Sequence, residues 1–162
     1  MSRMYVVSFE GVAVSSPQDL FEIRGAAGKL TKIRRWVLSA TDTTAPTSQM
    51  LQVRARFLPS AGYVAGSTGT IPTRNPIDPG DAAASFTAMA NNTTKSTATT
   101  PVTLYESGCH VLNGLDEPFD TDGRGASNLV VGPSESIVLE LLSTVSGTVH
   151  LSSTVWVEES GG

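Results

Sequence analysis

Apolar and polar residues alternate most regularly in the run Thr148 to Glu158, near the end of the chain. Its apolar positions are Val149, Leu151, Val155 and Val157. Period-two alternation over this length, rich in β-branched residues and free of Gly and Pro, predicts a half-buried strand. A similar apolar row lies upstream at Ile137, Leu139 and Leu141. The short join Thr144–Gly147 is turn-prone, so the two runs are expected to form a closing β-hairpin.

Several earlier runs also have strand length. They are Tyr5–Val14 with a kink at Gly11, Asp19–Arg24, Leu30–Leu38, Met50–Leu58, Val102–Leu112 and Leu129–Val131. In the third run Ile33 and Trp36 lie three positions apart, which breaks strict alternation. Either a bulge shifts the register there, or both faces of the strand are partly covered. In the fourth run Arg54 and Arg56 share the polar face. Solvation is the favoured interpretation for both, and a neighbouring subunit's carboxylates are the alternative.

Two long segments are rich in small polar residues. Gly, Ser, Thr and Pro dominate 59–79, which predicts a functional loop or an arm that orders on a partner. The turn Asp78–Asp81 follows, and Asp81 is placed to cap one helical turn across 82–84. Residues 85–90 fit either a continuation of that turn or a short strand. Residues 91–100 are predicted to be a second polar loop.

These elements add up to about eight to ten short strands with at most one helical turn, separated by Gly, Pro, Ser and Thr turns. The pattern predicts an all-β fold, a single-domain antiparallel β-sandwich of jelly-roll type that spans residues 1–162. A chain of this length buries enough surface to fold without disulfides or metals.

Composition argues against binding to nucleic acid or to membranes. The net charge is −4 and only 16% of residues are charged, whereas such binding needs clustered Lys and Arg. Lys32, Arg34 and Arg35 form the one basic cluster. Neighbours on a strand point to opposite faces, so the cluster is expected to be solvated or to form intersubunit ion pairs.

The lone Cys109 cannot form an internal disulfide, and it is interpreted as a buried structural thiol of a chain folded in a reducing cytosol. No apolar run of signal-peptide length appears near the N-terminus, and none approaches the roughly 18 residues of a membrane helix. We therefore expect a soluble protein made in the cytoplasm without a cleaved signal.

The acidic stretch after Leu115 is the best candidate for metal chemistry. Its carboxylates are Asp116, Glu117, Asp120 and Asp122. Calcium takes six to eight oxygen ligands, and the distal Glu of a calcium loop is missing. A plain exposed loop is therefore favoured, and calcium binding is the minority alternative.

Other candidate groups are assigned structural roles. His110 and His150 lie in different predicted strands without metal partners, and no serine elbow is present. The segment Gly66–Gly69 lacks the lysine of a phosphate loop. The aromatics Trp36, Trp156, Tyr63 and Tyr105 are expected in a core or a seam, and a stacking platform for sugars or bases is the alternative. We assign no catalytic, cofactor-binding or metal residues and expect no enzyme activity.

Four stretches resemble a family of small β-rich virion proteins of tailed phages and prophages. They are Val7–Ile23, Ile77–Ala84, Ala90–Thr94 and Val157–Gly162. Members of this family are similar in size, β content and genome setting to capsid decoration (cement) proteins, which sit on the outer shell as trimers. The resemblance implies a structural homotrimer on the virion surface that binds the major capsid protein.

The shell contacts are expected from the long loops and from an N-terminal arm, Met1 to Val7. Two other functions stay open. The first is a tail or receptor-binding jelly roll that recognises a host glycan. The second is a calcium-dependent sugar-active domain built around Asp116–Asp122 and His110.

Overall fold

The computed structural model describes residues 1–119 and 129–161. Within those ranges the regular structure consists of eleven β-strands and no helix. The strands are β1 (Ser2–Val14), β2 (Gln18–Arg24), β3 (Leu30–Ala40), β4 (Met50–Leu58), β5 (Arg74–Pro76), β6 (Thr87–Asn92), β7 (Val102–His110), β8 (Leu115–Pro118), β9 (Leu129–Val131), β10 (Ser136–Leu141) and β11 (Val149–Ser160). The prediction of an all-β chain is confirmed.

The strands form two antiparallel sheets that pack face to face. The first sheet has the order β5-β1-β11-β3-β8, and β9 also pairs with β3. The second sheet has the order β6-β2-β10-β4-β7. The first four strands alternate between the sheets, so each connection crosses from one layer to the other. The predicted antiparallel β-sandwich is confirmed.

One hydrophobic cluster fills the space between the sheets. Its largest fully buried side chains include Trp36 and Tyr5 from the first sheet and Phe21 from the second. Trp36 Nε1 donates a hydrogen bond to Ser153 Oγ at 2.9 Å, and this hydroxyl donates to the carbonyl of Val37 at 2.6 Å. The indole therefore keeps a polar partner although it is removed from water.

Two irregularities in the first sheet match the sequence pattern. The pairing of β1 with β11 shifts between Phe9 and Val12, and Gly11 between them has φ +57°. The pairing of β3 with β11 shifts so that Arg34 is the extra residue. Ile33 and Trp36 consequently both face the core. The predicted kink at Gly11 is confirmed, and of the two alternatives for β3 the structure shows the bulge.

The predicted closing hairpin is wrong. β10 pairs with β2 and β4 in the second sheet, whereas β11 pairs with β1 and β3 in the first. The join 144–147 therefore crosses the sandwich, and Val145 on it is buried. The two apolar rows face the same core from opposite sides. The two strands were therefore predicted correctly, and the pairing between them was not.

The segment from 61 to 70, which we call the strap, lies on the outer face of the second sheet. It pairs with the returning chain through the bridges Val64–Thr97, Ser67–Thr94 and Thr70–Ala90. The two predicted loops are thus partly ordered against each other. No helical turn forms across 82–84, and 87–92 is strand β6, which settles the open choice for 85–90 in favour of a strand.

Candidate functional site

Strand β7 forms an open edge of the second sheet. Among the described residues it pairs on one side only, with β4, over the register Met50–His110 to Phe57–Val102. The backbone N–H and C=O groups on its other side are directed away from the sheet. Such a row of free groups is a template for pairing with another polypeptide.

The other sheet edges in the described ranges are short or covered. β5 has three residues and ends at Pro76, and β8 has four residues and ends at Pro118. Proline cannot donate a ladder hydrogen bond, so it discourages further pairing. β6 is covered at Ala90 by its bridge to Thr70 of the strap. Nine-residue β7, which has one register shift at Leu104, is therefore the long uncovered edge of the described ranges.

Apolar side chains accompany this open edge. Val102 is 50% exposed and Leu104 is 39% exposed, and Met50 and Leu112 are exposed near the other end of the strand. β7 contains no Lys, Arg or Pro, and Glu106 is its one carboxylate. We call β7 together with Met50 and Leu112 the β7 edge surface. Apart from Glu106 it lacks the charges and prolines that keep ordinary edges apart.

Tyr105 fixes the position of β7 relative to the first sheet. Its hydroxyl donates to Glu117 Oε2 at 2.9 Å, and its ring packs edge-on against Phe119 with centroids 5.3 Å apart. Burial raises the pKa of Tyr105. The register of β7 on β4 shifts at Leu104, next to this anchor. Strand β7 is therefore anchored through Tyr105 to Glu117 and Phe119, which fixes the position of its open edge.

Cys109 lies on the same strand and faces inward. It is 7% exposed, and burial raises the pKa of its thiol. A thiol with a raised pKa is a poor nucleophile. The predicted structural role of this residue is consistent with both observations.

The two histidines lie in different sheets. His110 Nε2 is 2.8 Å from Ser48 Oγ, and His150 Nδ1 is 2.7 Å from Asp42 Oδ1. The hydrogen bond with His150 holds the pKa of Asp42 below its usual range. An imidazole oriented by a carboxylate was not anticipated from the sequence. In the described chain no hydrogen bond joins the other nitrogen of His150 to a hydroxyl, so the pair lacks a positioned nucleophile.

The acidic stretch is divided by the strand it lies on. Asp116 forms an ion pair with Arg35 at 2.6 Å on the outer face of the first sheet, whereas Glu117 accepts from Tyr105 on the inner side. Adjacent strand residues point to opposite faces, so these two carboxylates do not converge on one ion. Asp120 and Asp122 lie outside the described residues. Within the described ranges no group of three His, Cys, Asp or Glu side chains is placed to hold a metal.

The expectation for the basic cluster is corrected by the bulge in β3. Because Arg34 is the extra residue, Arg34 and Arg35 both reach carboxylates on the outer face, those of Glu158 and Asp116. Arg35 Cζ also lies 5.1 Å from the ring centroid of Trp156. The ion pairs are within the chain, so these arginines need no second subunit as a partner.

The favoured solvation of the β4 arginines is also wrong. Arg54 and Arg56 form ion pairs with Glu140 on neighbouring β10, and Lys95 forms a third at 3.1 Å. The Glu140 side chain has no exposed surface. It faces away from the core and is covered by these cations. Sequence reasoning missed this cluster because it lacked the strand order.

The four singled-out aromatic residues are dispersed. Trp36 is buried in the core and Trp156 lies on the outer face of the first sheet. Tyr63 lies on the strap, and Tyr105 packs on Phe119. No two of these four rings stack on each other in the structure, so they do not form the platform that the glycan alternative requires.

The expected N-terminal arm is a core strand. Tyr5 and Val7 have no exposed surface, and β1 is paired with β11 on one side and β5 on the other. The Tyr5 hydroxyl also donates to the carbonyl of Ala82 at 3.0 Å. Residues 2–7 are therefore a paired strand and not a free arm, and their contact with the shell stays a prediction.

No described helix is long and apolar enough to cross a membrane. Comparison with known proteins adds no relative. No protein-family model, no curated protein and no solved structure matches this chain.

Proposed function

We propose that this chain is a capsid decoration protein of a tailed phage or prophage. It binds the outer shell through the major capsid protein and stabilises the shell without performing chemistry. The observation that carries the proposal is the β7 edge surface, a nine-residue open strand that carries exposed Val102 and Leu104 and is suited to contact between copies of the chain. Its chemistry suits contact with another polypeptide, because backbone groups and apolar side chains are offered together.

The strand order supports a jelly roll. Four strands of the first sheet run β1-β11-β3-β8, and four of the second run β2-β10-β4-β7. Strands at the same position of the two sheets follow each other among these eight strands: β1 and β2, β10 and β11, β3 and β4, and β7 and β8. This arrangement is expected for a double-sheet fold built from two Greek keys. A fold of this kind is a rigid body that can present one edge and one face to a lattice.

A homotrimer is the assembly that we infer. A cyclic arrangement of copies covers one exposed edge per copy and closes on itself, whereas an open arrangement would continue into fibres. With the β7 edge surface covered in the trimer, the outer faces and loops remain free for the shell. Copies that bind only the assembled lattice stabilise it by mass action.

The test uses shells from the phage or prophage that encodes the chain, prepared without this protein. Purified protein is added and the shells are sedimented. We expect co-sedimentation, saturation at a multiple of three copies, and a higher temperature of shell disassembly. A protein that stays trimeric in solution and fails to sediment with the shells would contradict the decoration function while leaving the trimer intact.

A further inference from the structure

A hollow of about 360 Å³ opens between the strap and the outer side of β2 and β6. We call it the strap hollow. Its principal lining residues are Arg24, Tyr63, Ile71, Arg74 and Met89. The volume lies within the range of pockets that hold a small group or a side chain. It is distinct from the β7 edge surface, which lies at the opposite edge of the same sheet.

Two arginines line the strap hollow without a carboxylate partner. Arg24 and Arg74 make no ion pair with any described residue, whereas most other described cations do. Arg24 Cζ stacks 4.0 Å from the centroid of the Tyr63 ring. Arg74 Nη1 donates to the carbonyl of Phe86. Both contacts position a guanidinium and leave other N–H groups of the fork for a ligand.

The third charged group of the hollow is already satisfied. Glu22 is 3% exposed and accepts hydrogen bonds from the Tyr63 hydroxyl, from Gly66 N at 3.0 Å and from Asn92 Nδ2 at 3.0 Å. These hydrogen bonds hold the strap on β2 and β6, and they occupy both oxygens of the Glu22 carboxylate. The wall that carries Tyr63 is therefore fixed before a ligand arrives, which lowers the entropy cost of binding.

The remaining wall of the hollow is apolar. Ile71 is 76% exposed, and Met89 and Ala65 lie beside it. A ligand that complements both the two arginines and this apolar wall carries a carboxylate next to an apolar group. The chain has a net charge of −4, so an acidic segment gains no attraction from the overall charge of the protein. Attraction at two unpaired arginines would select the orientation in which it docks.

We propose that the strap hollow binds a carboxylate side chain of a partner polypeptide, with a neighbouring apolar residue resting on Ile71. The inference deepens the proposed function, on which it rests, by naming the chemistry of the capsid segment that the protein recognises. Arg24 and Arg74 donate to the carboxylate oxygens, and a planar guanidinium fork suits this geometry.

The probes are two fluorescein-labelled pentapeptides, Gly-Leu-Glu-Leu-Gly and Gly-Leu-Gln-Leu-Gly, with blocked termini. Fluorescence anisotropy with the full chain measures their affinities. We expect the Glu peptide to bind about tenfold or more tightly than the Gln peptide, because charged hydrogen bonds exceed neutral ones by that much. Arg24→Gln and Arg74→Gln should each weaken Glu-peptide binding by about tenfold. Lys32→Gln makes the same charge change on the other sheet and should leave binding unchanged.

A thermal melt of each variant checks that it is folded. If Arg24→Gln does not fold, Arg24→Lys retains the charge, loses the planar fork and should still weaken the Glu peptide. Equal binding of the two peptides, no binding of either, or an equal loss in Lys32→Gln would overturn the proposal. Free glutarate that binds as tightly as the Glu peptide would also overturn it, because the hollow would then serve a small dicarboxylate. Shell sedimentation is scored separately, so variants that lose the peptide yet still sediment would leave the decoration function standing.

Discussion

Asp19 and Ser96 are joined by two hydrogen bonds to one carboxylate oxygen. Asp19 Oδ2 accepts from the Ser96 amide at 2.7 Å and from its hydroxyl at 2.8 Å, while Asp19 Oδ1 has no partner. The side chain has no exposed surface, and burial raises its pKa to about 6 although both bonds to Ser96 favour the ionised form. Ionisation of the carboxylate that ties the returning chain to β2 therefore lowers the stability of the folded state.

The raised pKa of Asp19 predicts that the stability of the protein depends on pH. The folded pKa of Asp19 is raised above the unfolded value of 3.8, so its stabilising contribution is present below that value and is lost as pH rises through about 6. Asp19→Asn removes the titration. We expect the free energy of unfolding of the variant, relative to wild type, to be about 2 kcal/mol higher at about pH 8 than at about pH 4. Urea midpoints at both pH values measure it, and a pH-independent difference would contradict the assignment.

Removing the Glu140 carboxylate should be strongly destabilising. The residue is fully buried beside Arg54, Arg56 and Lys95, so Glu140→Gln leaves three cations facing one another. We expect a loss of about 3–5 kcal/mol in the free energy of unfolding, as for a broken buried pair. Denaturant unfolding measures it. The matched control is Asp116→Asn in an exposed ion pair with Arg35, which should barely move the midpoint; equal effects would refute the role of burial.

A charge on the open edge should dissociate the proposed trimer. Val102 on β7 is 50% exposed and Ile77 after β5 is 52% exposed, so lysine substitutions at the two positions form a matched pair. Val102→Lys should weaken self-association by about tenfold or more, because an unpaired ammonium would be buried in the contact. Light scattering over a dilution series reports the mass. Ile77→Lys should stay trimeric, and a trimeric Val102→Lys protein would remove the β7 edge surface from the assembly.

A methyl group at position 69 should displace the strap. A Cβ on Gly69 would lie 2.2 Å from Asn92 Oδ1 and 2.3 Å from the carbonyl oxygen of Ala90. Backbone cannot move aside cheaply, so Gly69→Ala should lower the free energy of unfolding by about 1–3 kcal/mol. Amide hydrogen exchange should rise at Thr70 and Ala90, whose backbones are bonded to each other. Gly108→Ala meets only ordinary contacts at 3.6 Å and serves as the control; unchanged exchange in Gly69→Ala would refute close packing of the strap.

The sequence predicted the strands because alternation depends only on local burial. The bulge in β3 was visible in the three-residue spacing of Ile33 and Trp36, and both side chains are indeed buried. The pairing of β10 with β11 was not predictable from the same kind of pattern. An apolar row shows that a strand faces a core, and it carries no information on which of two facing sheets the strand joins.

The polar layer under the strap and under the returning chain at Lys95 was the largest feature missed. Glu140 meets Arg54 and Lys95 only because β10 lies beside β4 and the chain returns over it. A Gly, Ser and Thr composition looks the same in a free loop and in a segment that packs on a sheet. Gly66 and Gly69 gave a signal that could have been used, since the side chain of Asn92 approaches both where a Cβ would stand.

The placement of β1 between β5 and β11 has a consequence for biosynthesis. Ser2 pairs with Ser160, and Val14 pairs with Val149, so β1 gains this neighbour only after β11 has been synthesised. Until then the apolar side of the nascent segment is open to other chains. Completion of the first sheet therefore waits for β11, and yield in the cell should respond to chaperone supply.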